Sequence, residues 1–266
     1  MKKKTLYTVL MITCVIGFWL FDNFYTPATY TEANGKSNST EIPLKFIPST
    51  RSGTIVHHQY FSLSYAERYE QAEWVAYKLT KEQLTYDDRK RPYFIEDPKV
   101  SSKSADWRNY RGSGYDRGHL CPAGDRRFSD YAYKETFYTS NISPQKNDFN
   151  AGIWNRLEQK VRYWAKRYKT VYVITGGVLE KGLPSIGEED VAVPQRYYKI
   201  LVKEDKGHID VLAFLFPHKE STKPLQEFVV PVHRLEGLTG IDFFEAMPDH
   251  LQETLEKQSR IGSWKF

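Results

Sequence analysis

The chain has 266 residues, of which 40% are hydrophobic and 15% aromatic, a composition that excludes an intrinsically disordered protein. The formal net charge is +5, but three of the positive charges are the consecutive Lys2, Lys3 and Lys4; without them, 35 basic residues face 33 acidic ones. A nearly neutral chain is not a general binder of polyanions, so any nucleic-acid site needs local clustering of charge.

The first predicted element is hydrophobic. Residues 5–21 carry no charge and follow the three lysines. As a helix this run spans about 25 Å, and it is longer than the hydrophobic region of an ordinary signal peptide. We therefore predict that residues 1–25 form a signal-anchor, with a cleaved signal peptide as the alternative. Either places the rest of the chain outside the cytoplasm, membrane-anchored in the first case and secreted or periplasmic in the second.

The remaining chain is predicted to contain a linker and one domain. Residues 26–41 are rich in Thr, Asn, Ser and Gly, which is typical of a flexible linker, and residues 42–266 show no repeat or second linker. Of the two cysteines, Cys14 lies in the hydrophobic segment, so Cys121 has no partner for a disulfide within the domain.

Strands dominate the predicted elements of the domain. Alternating or short apolar runs predict strands at residues 60–64, 72–79, 171–175, 197–202, 208–216 and 229–232. The runs at 197–202 and 208–216 flank EDKG, which predicts a hairpin, and Pro248-Asp249 opens a short helix that is predicted to end at Lys257. The clearest helix follows Asn150, because apolar residues recur every three or four positions at Ile153, Trp154, Leu157, Val161, Trp164 and Tyr168. No regular βαβ alternation is visible, so we predict an α+β fold with a mainly antiparallel central sheet and flanking helices.

The stretch YDRGHLCPAGD at residues 115–125 carries the first candidate functional residues. His119 can take a proton from water near neutral pH, and the guanidinium of Arg117 can bind a phosphate with two hydrogen bonds. Gly118 allows a close approach of the backbone. A histidine that only satisfies a turn is the alternative, but the neighbouring arginine and glycines favour phosphodiester chemistry.

The start of the helix carries two more candidates. Asn150 could be an N-cap, a position that favours asparagine, or its amide oxygen could bind a hard cation. On an ideal helix Glu158 lies about 80° around the axis from Asn150, beside the apolar stripe. A carboxylate there needs a charge, a metal-bound water or several donors; an ion pair with Arg162 is the alternative explanation.

The motifs DRGH and N-x-x-P-Q-x-x-x-x-N-x-x-x-W-x-x-x-E, the latter at residues 141–158, resemble those of the sugar-non-specific DNA/RNA endonuclease family, the endonuclease G-like ββα-metal nucleases. The resemblance extends over residues 60–257. It implies an antiparallel sheet and a ββα element that carries the histidine on a strand and the metal ligand on a helix. It also implies that His119 is the general base, that Arg117 contacts phosphate, that Asn150 is the sole direct protein ligand of Mg²⁺ (or Mn²⁺), and that Glu158 holds a water of the metal shell.

Two further site residues are implied less directly. Arg91 is our choice for a second phosphate-contacting arginine, with Arg89 as a close competitor, and Asn141 is expected near the substrate. Four more arginines are interpreted as either a phosphate-binding track or a solvated surface: Arg108, Arg111, Arg126 and Arg127. The other histidines lack zinc-ligand spacing and are expected to be structural or surface residues.

The predicted function is Mg²⁺-dependent hydrolysis of DNA and RNA to products with 5′-phosphates. The rival hypotheses are an extracytoplasmic phosphodiesterase for small substrates and a non-catalytic nucleic-acid-binding module. The sequence leaves open whether DNA or RNA is preferred, and whether an inhibitor protein or a second copy of the chain binds it.

Overall fold

The computed structural model describes residues 3–24, 29–30, 42–257 and 261–266. Its central element is a seven-stranded antiparallel sheet with the order β1-β2-β3-β6-β9-β10-β11, and two small two-stranded sheets, β4-β5 and β7-β8, accompany it. The strands are β1 (Thr54–His57), β2 (Ser62–Ala66), β3 (Gln71–Thr80), β4 (Asp116–His119), β5 (Ile142–Gln145), β6 (Thr170–Gly177), β7 (Ser185–Ile186), β8 (Val191–Ala192), β9 (Arg196–Asp205), β10 (His208–Pro217) and β11 (Val229–Val230).

Six α-helices accompany the sheet in the described residues. They are α1 (Lys3–Phe24), α2 (Asp130–Glu135), α3 (Asn147–Phe149), α4 (Asn155–Tyr168), α5 (Val232–Thr239) and α6 (Asp249–Glu256). A wide helical turn, Asn150–Trp154, joins α3 to α4. Together with the sheet, these helices confirm the predicted α+β class.

The sheet buries both of its faces, and β9 shows how. Tyr197 and Leu201 belong to the core cluster that includes α4, whereas Tyr198 and Ile200 belong to the cluster that includes α5 and α6. This division follows from the period of two residues along a strand. Lys199 therefore lies on the α4 face, where it is fully buried.

Most predicted elements of the domain are confirmed with small shifts of their ends. The hairpin β9-β10 and helix α6 lie where alternation and the Pro248-Asp249 start placed them. Every residue of the predicted helix stripe is fully buried except Tyr168, which is partly buried. The strand predicted at residues 229–232 is too long, since helix α5 begins at Val232 directly after Pro231. Proline lacks an N–H group, which the start of a helix does not need.

The hydrophobic segment forms helix α1. Within it, Lys3–Phe21 has a mean hydropathy of 1.7 and no buried residue, and among the described residues it is the one helix long and apolar enough to cross a membrane. Of the predicted linker, only Thr29 and Tyr30 lie within the described residues, and the Tyr30 ring packs 5.3 Å from that of Tyr138.

Candidate active site

A strand pair followed by a helix positions the predicted site residues. Strand β4 carries the DRGH motif and pairs antiparallel with β5, so that His119 lies opposite Ile142 and Gly118 opposite Ser143. A methyl group at Gly118 would overlap the Gln145 side chain, so a larger residue does not fit there. The chain then enters α3 directly, which places Asn150 beside β4.

His119 lies in an aromatic pocket. Its ring stands 4.8 Å from Phe137 in an edge-on arrangement and 5.6 Å from Phe94. The Nε2 atom is buried and has no hydrogen-bond partner among the described residues. Burial, and then the positive charges of Arg91 and Arg117, lower the pKa of His119 to about 3. The imidazole is therefore neutral at physiological pH and can accept a proton.

Arg91 and Arg117 converge on the same aromatic ring. Their guanidinium carbons lie 5.4 and 4.8 Å from the centre of Phe94. Both arginines line a cavity of about 280 Å³ together with Pro92, Tyr93, Phe94 and Trp107. Two cations beside a neutral imidazole form a concentrated positive site in a chain whose net charge is small, which suits a phosphate group.

The structure separates the two competing arginines. Arg89 donates from Nε to the carbonyl of Arg127 and from a terminal nitrogen to Asp87, at 3.0 and 3.1 Å. These contacts direct it away from Phe94, whereas Arg91 lies against both rings that contact His119. The geometry thus favours Arg91.

Asn150 is not an N-cap, so that reading of the sequence is wrong. Its backbone is helical, with φ −60° and ψ −52°, and helix α3 starts three residues earlier. The Asn150 Nδ2 instead donates to Asp116 Oδ2 at 2.9 Å, and Asn147 donates to the same oxygen at 3.1 Å. Because a carboxylate only accepts, the amide oxygen of Asn150 points away from Asp116 and stays available for a cation.

Sequence reasoning did not single out Asp116, although it is the first letter of the DRGH motif. Its carboxylate orients the predicted metal ligand, and it pairs with Gln145 across the strands. Asp116 directly precedes Arg117 in the sequence, and this position in the motif was the signal that could have identified it. We assigned functions only to the arginine and the histidine of the motif.

The ideal-helix relation between Asn150 and Glu158 does not hold. The backbone of Gly152 is not helical, with ψ −110°. The N–H of Ile153 donates to Glu220 Oε2 at 2.7 Å. A side chain from a distant loop thus replaces a helical hydrogen bond and breaks the α-helical path between the two residues. The angle of 80° assumed an unbroken α-helix.

Glu158 is partly buried and lies in a cluster of charged side chains with Arg162, which is also partly buried, and the fully buried Asp125 and Lys199. Arg162 contacts it at only 4.0 Å and instead pairs with Asp125 at 2.8 Å. Burial raises the pKa of Glu158 to about 7, and Asp125 adds to that rise, whereas Lys199 and Arg162 oppose it. A simple ion pair with Arg162 therefore does not explain this carboxylate.

Asn141 is completely buried, and its amide serves the backbone. Its oxygen accepts from the N–H of Cys121 at 2.8 Å, and its nitrogen donates to the carbonyls of Cys121 and Thr136 at 3.0 and 2.9 Å. The predicted contact with substrate does not fit this geometry. Asn141 instead holds the segment that follows β4 against the segment that leads into β5.

The four additional arginines do not form a single track. Arg126 is fully buried and donates to the carbonyls of Tyr60, Lys78 and Asp125, so it is neither a phosphate contact nor a solvated residue. Arg127 donates to the carbonyl of Asp87, and Arg108 pairs with Asp106 at 2.7 Å. The sequence could not show that backbone carbonyls from three separate segments would meet at the Arg126 guanidinium.

Two of the remaining histidines are confirmed as structural. His58 is buried, and its Nε2 atom lies 2.7 Å from Asp97. Burial lowers the pKa of His58, but the carboxylates of Asp97 and Glu135 outweigh this effect and raise the pKa above its usual value. His218 accepts at Nε2 from the N–H of Lys146 at 2.7 Å, directly before α3. It therefore helps to fix the start of the helix that carries Asn150.

A histidine on one strand of a β-pair and an asparagine on the helix that follows define the class of ββα-metal nucleases. The family model for DNA/RNA non-specific endonucleases matches residues 38–250. The chain belongs to this family.

Known proteins agree with this placement. The mitochondrial nuclease EXOG of Mus musculus is 37% identical over 201 residues, which cover 69% of this chain and 55% of that protein. The mitochondrial endonuclease G of Homo sapiens is 35% identical over 198 residues, covering 69% and 67%. The crystal structure of the EndoG/EndoGI complex superposes with a TM-score of 0.68 at 34% identity, covering 73% of this chain and 86% of that one. The chain spans a little over half the length of EXOG relatives.

Proposed function

We propose that this protein is a metal-dependent endonuclease that hydrolyses the phosphodiester bonds of both DNA and RNA. The observation that carries the proposal is the neutral imidazole of His119, with Arg91 and Arg117 around it, on the strand whose Asp116 accepts a hydrogen bond from the Asn150 amide. Membership of the non-specific endonuclease family and the names of its relatives support it.

The proposed reaction is an in-line displacement at phosphorus. His119 takes a proton from a water molecule, which then attacks the phosphate, and the departing 3′ oxygen leaves a product with a 5′-phosphate. Arg91 and Arg117 bind the phosphate oxygens and offset the negative charge that develops during the attack. Since contacts to phosphate carry no information about the base sequence, such a site cleaves without sequence preference.

The residues present fit a magnesium site, with Mn²⁺ as an alternative. The hydrogen bond from the Asn150 Nδ2 to Asp116 turns the amide oxygen of Asn150 away from Asp116, where it can bind a cation. Glu158 offers a partly buried carboxylate that can accept a hydrogen bond from a metal-bound water. Hard oxygen donors and few protein ligands suit Mg²⁺, which keeps most of its waters. When bound, the ion would neutralise charge on the phosphate and on the leaving oxygen.

The test is cleavage of plasmid DNA and of RNA by the purified full-length chain in detergent, with Mg²⁺ and with EDTA. His119→Ala should lower the rate by about 10²–10⁴-fold, the usual contribution of a positioned general base. His208→Ala is the matched control, because His208 is exposed at the tip of the β9-β10 hairpin. Wild-type rates in EDTA or in His119→Ala would refute the proposal. Turnover of bis-p-nitrophenyl phosphate without cleavage of plasmid would favour a small-substrate phosphodiesterase.

We further propose that helix α1 holds the enzyme at a membrane, with the catalytic domain on the extracytoplasmic side. The charge-free apolar segment and the preceding lysines support this orientation. The relatives are named as mitochondrial proteins, and that location is stated for those proteins. An inhibitor protein is a class of partner to test, since the structural relative was solved as the EndoG/EndoGI complex.

A further inference from the structure

Lys199 is a buried cation in the core of the domain that the proposed reaction does not use. It lies on β9 with no exposed surface, and its ammonium has no hydrogen-bond partner among the described residues. The Nζ atom stands 4.6 Å from the centre of the Trp154 ring. A buried lysine without a partner destabilises the folded state, so we expect a compensating negative charge nearby.

Lys199 belongs to a cluster of four charged side chains, two acidic and two basic, whose other members are Asp125, Glu158 and Arg162. Asp125 already has two direct partners, Arg162 at 2.8 Å on one oxygen and the Tyr77 hydroxyl at 3.2 Å on the other. Arg162 reaches Glu158 only at 4.0 Å. Lys199 therefore remains as the main counter-charge of Glu158.

The position of the two residues supports this pairing. Trp154 and Glu158 are one helical turn apart, and Lys199 lies over the Trp154 ring on the face of the sheet that α4 covers. Among the charges that act on Glu158, Lys199 has the largest effect, and Glu158 has the largest charge effect on Lys199. Charges several ångströms apart still interact strongly where water is excluded.

We propose that Lys199 is a positioning residue of the active site, whose buried ammonium keeps the Glu158 carboxylate anionic and therefore able to accept a hydrogen bond there. This inference rests on the proposed function, in which Glu158 holds a metal-bound water. Lys199 touches neither substrate nor metal. The other groups that face the pair are Asp125, Arg162, Tyr77 and the buried Cys121 thiol.

The first experiment is the pH dependence of cleavage by Lys199→Met, which keeps the chain length and removes the charge. Without the positive charge of Lys199, the pKa of Glu158 rises, so the acidic limb of the plot of kcat/KM against pH moves to higher pH. Because the Glu158 pKa in the wild type is about 7, a rise of one unit should lower kcat/KM at pH 7 about fivefold and each further unit about tenfold, with recovery towards pH 9. A loss caused only by altered packing would be the same at every pH and would overturn the proposal.

Two comparisons make the result specific. Lys203→Met is the matched control, because Lys203 lies on the same strand but pairs with Asp210 and packs on Tyr168 and Trp264; its pH profile should not move. In a Glu158→Gln background, Lys199→Met should have little further effect, since its target is gone. Additive losses in the double variant would contradict the coupling.

A second readout needs neither metal nor substrate. The ¹³C resonance of the Glu158 carboxylate, assigned by its loss in Glu158→Gln, should titrate at higher pH in Lys199→Met than in wild type. If neither Lys199→Met nor Lys199→Gln folds, wild type decides: Glu158 ionised and Lys199 charged at pH 8 support the proposal, and a protonated Glu158 or a neutral Lys199 overturns it. A protein that shows this titration but never cleaves nucleic acid would refute the proposed function alone.

Discussion

At the scale of single residues, burial gives His119 and Glu158 opposite protonation tendencies. Both side chains are desolvated, and loss of water disfavours the charged form of each. For the histidine this lowers the pKa to about 3, assisted by two arginines, and for the carboxylate it raises the pKa to about 7. The His119 imidazole is therefore uncharged at every pH near neutrality, whereas the Glu158 carboxyl changes its charge in that range.

This contrast predicts which residue limits activity at acidic pH. Between pH 5 and 9, kcat/KM should rise through an apparent pKa near 7 that belongs to Glu158, since His119 stays deprotonated down to about pH 3. The measurement is plasmid cleavage at constant ionic strength. In Glu158→Gln the rate should be lower and the limb absent; an unchanged limb in that variant would assign it to another group.

His119 also affects stability. In the unfolded chain the imidazole regains an ordinary pKa, so between about pH 6.5 and pH 3 the unfolded state binds a proton that the folded state does not. This contribution lowers the free energy of unfolding as the pH falls through 6.5. The buried His58, whose pKa is raised, acts in the opposite direction.

The hydrogen bond from Asn150 to Asp116 leads to a second prediction. Asn150→Asp replaces the donor with a carboxylate that faces another carboxylate, and we expect a loss of about 1.5–3 kcal/mol in the free energy of unfolding at pH 7. Thermal melts should show the loss shrinking as the pH falls and a carboxylate of the pair becomes protonated. Asn150→Ser, which loses the same bond without adding a charge, should not show this pH dependence. Wild-type stability of Asn150→Asp at pH 7 would show that the contact is not formed.

At the scale of elements, the break between α3 and α4 sets the relation between Asn150, the proposed metal ligand, and Glu158. A methyl group on Gly152 would overlap the Glu220 carboxylate, which accepts from the N–H of Ile153. Neither helix alone would place Asn150 and Glu158 where the broken helix does. The apolar stripe of α4 predicted the helix correctly, but the break depends on a carboxylate from the loop after β10.

We therefore expect Gly152→Ala to displace Glu220 and leave a buried N–H without its acceptor, at a cost of about 1–3 kcal/mol in the free energy of unfolding. Mg²⁺-dependent cleavage should fall at temperatures where the variant is still folded. Gly237→Ala is the control, since Gly237 has open space around it in helix α5, and alanine should stabilise that helix by about 0.5–1 kcal/mol. Equal behaviour of the two variants in melting and cleavage would contradict a role for the break.

At the scale of the whole molecule, we expect the apolar helix and the proposed catalytic domain to have separate tasks. Helix α1 buries nothing within its apolar segment, and every proposed catalytic residue lies at Arg91 or beyond. Deletion of residues 1–25 should therefore yield a protein that stays in solution without detergent and cleaves at a rate comparable to that of the full chain. In cells, the full chain should remain in the membrane fraction after an alkaline wash.

The possible outcomes of this deletion have different meanings. A truncated protein that folds, judged by a cooperative melt, but does not cleave would show that α1 contributes to the site. Recovery of the wild type only as a shorter soluble species would favour a cleaved signal peptide over an anchor.

The sequence by itself determined the local features of this protein. Alternation and the helical period are properties of neighbouring residues, so they predicted the hairpin β9-β10 and the stripe of α4. The two motifs are similarly local, and they predicted that His119 lies on a strand and Asn150 on a helix. Both motifs lie within residues 38–250, the range that the family model matches.

Only the tertiary structure decided which charges meet. Arg91 and Arg89 are two residues apart and chemically identical, yet only Arg91 reaches the Phe94 and Phe137 rings around His119. Arg126 is buried because carbonyls from distant segments need donors, and Lys199 faces Glu158 because the register of β9 turns it towards α4. Such pairings depend on long-range packing and on the desolvation it causes, and neither can be read from the spacing of residues along the chain.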